Sequence, residues 1–210
     1  MRILVVGASG RVGHLLVEKL AAEGNEVIAG TRHLDDTFTS KRVVLAKLDV
    51  LIDEEKLVNE LLDLKLDAVY FVAGSKGKNL LQVDAFGAVK LENAAEKAGI
   101  DRFIMLSSWQ ATNPKAWGKE LRDYNIAKFF ADNWLIDHTT LNYTILQPGA
   151  LTEAPGSGKI AFNPDAPAQN SIENVVDVLV GILNAKNTYG KVLSMSDGEN
   201  IIETEISKFV

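Results

Sequence analysis

The sequence predicts a doubly wound α/β fold, a parallel sheet with helices on both faces, and two observations carry that prediction. Seven short apolar runs alternate with longer amphipathic stretches along almost the whole chain. The first run then breaks into glycines at positions 7, 10 and 13, directly before an amphipathic stretch. Near-continuous apolar runs of strand length are what parallel strands buried on both faces require. Strand–helix alternation closes such strands into right-handed crossovers.

The expected strands are 3–6, 27–31, 43–48, 68–73, 103–107, 143–147 and 192–195. Helical patterns fall between them at about 11–23, 53–64, 79–98, 119–138 and 172–186. One region breaks the rhythm: residues 148–159 (PGALTEAPGSGK) and 163–167 (NPDAP) are too rich in Gly and Pro for a long helix. This region follows a strand's carboxyl end, the edge where open α/β sheets bind ligands. It therefore reads as a substrate loop or lid, with a plain linker as the alternative. The expectation is a single domain over 1–210 whose substrate-side region lies at about 148–170.

The composition narrows the function classes. A chain of 210 residues with 47% hydrophobic and 24% charged residues is an ordinary globular protein of one domain or at most two. No apolar run reaches membrane-span length, and the short run after Met1-Arg2 is too brief for a signal peptide. The absence of cysteine excludes disulfides, thiolate nucleophiles and cysteine zinc sites, and suits a reducing cytoplasm. A net charge of -6 with scattered basic residues opposes a nucleic-acid surface. His14, His33 and His138 have no metal-ligand spacing. The expectation is a cytoplasmic protein acting on a small molecule, without metal, nucleic acid or membrane. Monomer and homodimer both remain open.

The stretch Gly7-Ala8-Ser9-Gly10-Arg11-Val12-Gly13 lies between a buried strand and an amphipathic helix. In a dinucleotide-binding turn the first glycine permits the bend, the second lets backbone approach a pyrophosphate and the third allows close helix–strand packing. Free amides and the dipole at the helix start favour the phosphates. The spacing is GxxGxxG rather than GxGxxG, and glycines also mark plain strand–helix turns. The end of the second strand bears on the choice of cofactor. An acid there would bind a ribose 2′-hydroxyl and select NAD. The sequence instead reads Thr31-Arg32-His33, and the planar fork of Arg32 suits a 2′-phosphate, with Arg11 approaching from the glycine turn. NADP(H) is the expected cofactor; a solvated Arg32 is the alternative. Asp49 and Val50, after the third strand, are placed to meet the adenine edge, with a helix N-cap as the competing role of Asp49.

These residues resemble the short-chain dehydrogenase/reductase superfamily, in its atypical branch of small NAD(P)-binding Rossmann proteins. The resemblance is carried by GASGRVG at 7–13, Arg32, FVAG at 71–74, VDAFG at 83–87, RFIMLSS at 102–108, YNIAK at 124–128, LQPGALT at 146–152 and DGE at 197–199. It covers essentially the whole chain. Relatives in that branch include biliverdin-IXβ/flavin reductases, NmrA-like regulators and epimerase-like proteins.

Tyr124 and Lys128 are four apart in an expected helix and so share one face. By resemblance, Tyr124 is the general acid or base, and Lys128 lowers its pKa and holds the nicotinamide ribose. Ser108 then orients the substrate oxygen, and Ser107 faces the cofactor. Ala73, Gly74 and Ser75 approach the pyrophosphate or ribose, while Pro148 and Gly149 border the nicotinamide. Asp84 stands where the superfamily often carries an asparagine, which puts its proton relay in doubt; a pairing of Asp84 with Lys128 or a hydroxyl is the expectation. Trp109, Trp117 and Trp134 read as packing or cleft-wall residues, with Trp109 nearest the substrate.

The function expected is an NADPH-dependent reductase of a small carbonyl, quinone or flavin-like acceptor. A non-catalytic NADP(H) sensor of the NmrA kind and a sugar-nucleotide epimerase are the alternatives. About 60 residues after Pro148 leave little room for an epimerase's usual substrate lobe.

Overall fold

The computed structural model describes residues 1–35, 37–166 and 168–209. Among the described residues six α-helices and eleven strands follow in order: β1 (Arg2–Val6), α1 (Arg11–Ala22), β2 (Glu26–Thr31), β3 (Val43–Lys47), α2 (Glu54–Leu64), β4 (Ala68–Phe71), α3 (Phe86–Lys97), β5 (Arg102–Leu106), α4 (Arg122–His138), β6 (Asn142–Pro148), β7 (Ala150–Thr152), β8 (Lys159–Phe162), β9 (Gln169–Ser171), α5 (Ile172–Gly181), β10 (Lys191–Asp197), β11 (Asn200–Ile201) and α6 (Ile202–Ser207). A turn of π-helix, Leu80–Ala85, leads directly into α3.

The main sheet runs β11-β8-β10-β6-β5-β4-β1-β2-β3. Its seven strands from β10 to β3 are parallel. The chain order reverses between β1 and β4, the kind of switch point where an open α/β sheet leaves a crevice for a ligand. The pleat divides the core into two layers. On β1, Ile3 and Val5 face a layer with α1, α5 and α6, while Leu4 and Val6 face one with α2, α3 and α4. β4 repeats the division, with Tyr70 on one side and Phe71 on the other. β1, β2, β4 and β5 each feed both layers, so their apolar runs do not alternate with polar residues.

The region after Pro148 differs from the loop or lid expected. It leaves as β7, returns as β9, and the two pair in parallel beside the main sheet. Between them β8 enters the main sheet, antiparallel to both β10 and β11. Strands of three or four residues are enough here because backbone partners, not an apolar run, define them. Of the Asn163–Pro167 turn residues, Pro167 lies outside the described residues. Among the described residues no helix is long and apolar enough to cross a membrane.

Candidate cofactor and active site

The carboxyl ends of β1 to β6 lie along one edge of the sheet, and the residues expected to bind cofactor follow them there. Residues 7–13 follow β1, Arg32 follows β2, Asp49 and Val50 follow β3, and 73–75 follow β4. Ser107 and Ser108 follow β5, Pro148 ends β6 and Gly149 comes next.

The glycine turn folds back tightly on itself. The amides of Gly7 and Ala8 both donate to the Gly30 carbonyl on β2, at 3.1 and 3.3 Å, and Gly10 donates to the Gly7 carbonyl at 3.0 Å. A Cβ on Gly13 would lie 2.1 Å from the Gly7 carbonyl oxygen, so the helix packs on the turn at a distance that only glycine permits. No side chain caps the start of α1, which leaves its first amides available to an anion. A tight glycine cradle in front of an uncapped twelve-residue helix fits a dinucleotide pyrophosphate. Ser9 and Val12 belong to this turn; Val12 is buried in the core and Ser9 is exposed.

Around the cradle, Arg32 is exposed directly after β2, where Thr31 folds the chain back by accepting from the His33 amide at 3.0 Å. Arg11 is also exposed, and its guanidinium pairs with Glu153 at 2.6 Å. Asp49 is no N-cap of α2: its carboxylate accepts from the Leu51 amide at 3.0 Å, holding the turn, while Asp53 occupies the cap. Val50 packs against Gly87. Asp84 is fully buried and accepts from the Ser75 amide at 3.0 Å. That bond corrects the pairing expected for Asp84: it fixes the backbone after β4 instead of reaching Lys128. Ala73 and Gly74 lead into that fixed turn, with Gly74 exposed.

At the other end of the site, α4 carries Tyr124 half-buried and Lys128 almost sealed, at 1% exposure. The Lys128 Nζ lies 5.8 Å from the centre of the Tyr124 ring and 5.4 Å from that of Phe71, and donates to the Leu106 carbonyl at 3.2 Å. Ser108 is at the border of burial, and its hydroxyl has no partner among the described residues. Ser107 departs from expectation. Its hydroxyl turns inward and donates to Asp132 at 2.6 Å, so it does not face a cofactor. Successive residues at a strand end point to opposite sides, and the apolar run did not reveal which serine faces the sheet interior. Gly149 also has a packing role, because its missing Cβ would fall 2.0 Å from the Ala168 carbonyl oxygen at the entry to β9.

Sequence reasoning missed a polar cluster beneath this site. Asp132 accepts from Gln147 at 2.9 Å as well as from Ser107, and Glu92 of α3 is fully buried nearby. Burial pushes the Asp132 carboxyl up to about 6, against the opposing bonds from Ser107 and Gln147 and the charge of Lys128. Burial, then the charge of Asp132, holds Glu92 well above the usual carboxylate range, with Lys128 acting the other way. Asp132 follows Lys128 by four residues, as Lys128 follows Tyr124, so a helix-face signal for Asp132 was present in the sequence. Glu92 left no such signal. Trp134 is structural: it donates to Asn93 at 2.8 Å and stacks on His138 at 4.3 Å between ring centres.

A glycine cradle at a sheet switch point, with a buried lysine under a tyrosine on the same edge, defines an α/β protein built to bind a dinucleotide. Residues 7–186 match the model of the NAD(P)H-binding family, and the chain belongs to that family. It is 31% identical to the Bacillus subtilis protein called uncharacterized sugar epimerase YhfK, over 99% of this chain and 100% of that one. It is 35% identical to the Saccharomyces cerevisiae UPF0659 protein YMR090W, over 97% and 96% of the two chains. The crystal structure of the oxidoreductase ylbE from Lactococcus lactis superposes with a TM-score of 0.95 at 39% identity, covering 99% of this chain and 95% of that one. The chain thus stands among NAD(P)H-binding proteins, with relatives that carry oxidoreductase and epimerase names.

Proposed function

We propose that the protein is an NADPH-dependent reductase of a small carbonyl, quinone or flavin-like acceptor. The observation that carries this reading is the burial of Lys128 directly under Tyr124, at 5.8 Å from its ring. A lysine is rarely buried unless its charge has work to do. Its ammonium stabilises the negative charge that develops on a neighbouring phenol oxygen as the proton leaves. Tyr124 donates its Oη proton to the acceptor oxygen, and Ser108 orients that oxygen with its free hydroxyl. Gly7, Gly10 and Gly13 with the first amides of α1 hold the pyrophosphate, and Arg32 with Arg11 holds the 2′-phosphate. When bound, NADPH supplies the hydride. The segment from 148 to 170 forms the acceptor side. The protein acts on a free small molecule and needs no metal, nucleic acid or membrane.

The test is NADPH oxidation with a panel of carbonyls, quinones and flavins. Tyr124→Phe should lower turnover of a carbonyl about 10²- to 10⁴-fold, the usual range for a lost general acid, and equal activity of the two proteins on every carbonyl would reject the assignment. The name of the Bacillus subtilis relative supports a second reading, a sugar epimerase. An epimerase interconverts sugars on the same tyrosine without net consumption of NADPH, so a sugar-nucleotide arm in the panel separates the two.

A further inference from the structure

Beneath the proposed reductase site, two carboxyls and one ammonium are closed off from water together. Glu92 and Asp132 are each 0% exposed and Lys128 is 1% exposed. Lys128 and Asp132 are one turn apart on α4, on the face that begins with Tyr124, and Glu92 faces them from α3. The strand side contributes only neutral groups, Ser107 and Gln147, and both bond to one oxygen of Asp132, Oδ2. Neither oxygen of Glu92 has a hydrogen-bond partner among the described residues, and Asp132 Oδ1 has none.

One buried ammonium balances one carboxylate, and a second buried anion would stand uncompensated. Hydrogen-bond donors stabilise the ionised form of an acid and their absence favours the neutral form. Asp132 receives two donors and Glu92 none, so the charge belongs on Asp132 and the proton on Glu92.

We propose that Glu92 and Asp132 hold a single proton between them and act as the counter-charge that keeps Lys128 an ammonium in its sealed place under Tyr124. The pair deepens the reductase reading and, for its effect on turnover, rests on it. Both acids are positioning residues, acting on the reaction through Lys128. Because the two titrate as a unit, each can replace the other. Loss of Asp132 leaves Glu92 as the remaining carboxyl of the pair, since Asp84 is held by the Ser75 amide, and Glu92 then gives its proton to solvent.

Infrared difference spectroscopy of the cofactor-free protein at neutral pH tests this without any turnover. The wild type should show the carbonyl stretch of one buried protonated carboxyl, and Glu92→Gln should remove it. Asp132→Asn should remove it as well, although Glu92 is still present, because Glu92 has ionised. Lys128→Met should enlarge it, since both acids then stay neutral, and this variant decides the matter if Asp132→Asn fails to fold. A wild type without the band, a band that persists in Asp132→Asn, or a band unchanged in Lys128→Met would each overturn the proposal. For turnover, each single variant keeps one carboxyl for Lys128. Glu92→Gln with Asp132→Asn together should lose more than the product of the single losses and move the alkaline limb of the pH profile downward. If no acceptor is reduced, the reductase reading fails and the infrared bands still decide the pair.

Discussion

The Arg11 guanidinium meets the Glu153 carboxylate at 2.6 Å, joining the first turn of α1 to the segment that follows β7. Both side chains are well exposed, so the pair adds little to stability. Its consequence is competition, because the cation that should approach a nucleotide phosphate is already shared. Glu153→Gln is expected to leave the melting temperature unchanged and to tighten NADPH up to about fivefold. Fluorescence titration with NADPH and NADH checks this, and the gain should be confined to NADPH.

Arg32→Ala should act in the opposite direction. Loss of a charge-assisted bond worth about 1.5–3 kcal/mol weakens NADPH by about 10- to 100-fold. NADH affinity should stay as it was. A variant that weakens both cofactors equally would remove Arg32 from the 2′-phosphate site.

Gly13→Ala puts a methyl group 2.1 Å from the Gly7 carbonyl oxygen, and backbone rather than a flexible side chain stands in the way. The turn must open. Such overpacking costs about 1–3 kcal/mol, which thermal unfolding will register, and dinucleotide affinity should fall with it. Ordinary cofactor binding in a fully folded Gly13→Ala protein would show that the cradle is not the pyrophosphate site.

Glu92 predicts an unusual pH dependence of stability. Its pKa in the folded protein lies above the unfolded value, so the folded state holds the proton that the unfolded state has lost. The stability it contributes is complete below the unfolded pKa and declines as pH rises toward the folded one. Glu92→Gln removes that decline. Denaturant unfolding should find the variant gaining on the wild type by about 1.4 kcal/mol per pH unit above the unfolded carboxylate pKa. A difference that stays constant from pH 5 to 8 would show that Glu92 titrates normally.

The central strands were legible because a strand buried on both faces has no polar positions: the run Ile3-Leu4-Val5-Val6 already contains both core layers. That the expected cofactor residues gather along one edge was legible because they follow strand ends. The pairing of Ser107 with Asp132 was hidden, since 25 residues separate them and only the pleat decides which serine turns inward. Glu92 was harder still, because its surroundings come from another helix and nothing in its own neighbourhood marks it as buried. β7, β8 and β9 were lost for a related reason, their few residues being set by partners far along the chain.

Those three strands bear on the time course of binding. The excursion after Gly149 is fastened where β7 meets β9, where β8 lies between β10 and β11, and where Ser171 donates to the Ala154 carbonyl at 2.7 Å. A segment pinned at its ends and in its middle does not swing open and shut as a hinged flap does. An acceptor entering beside it should bind in one kinetic phase, with an observed rate that rises linearly with concentration and no slower closing step behind it.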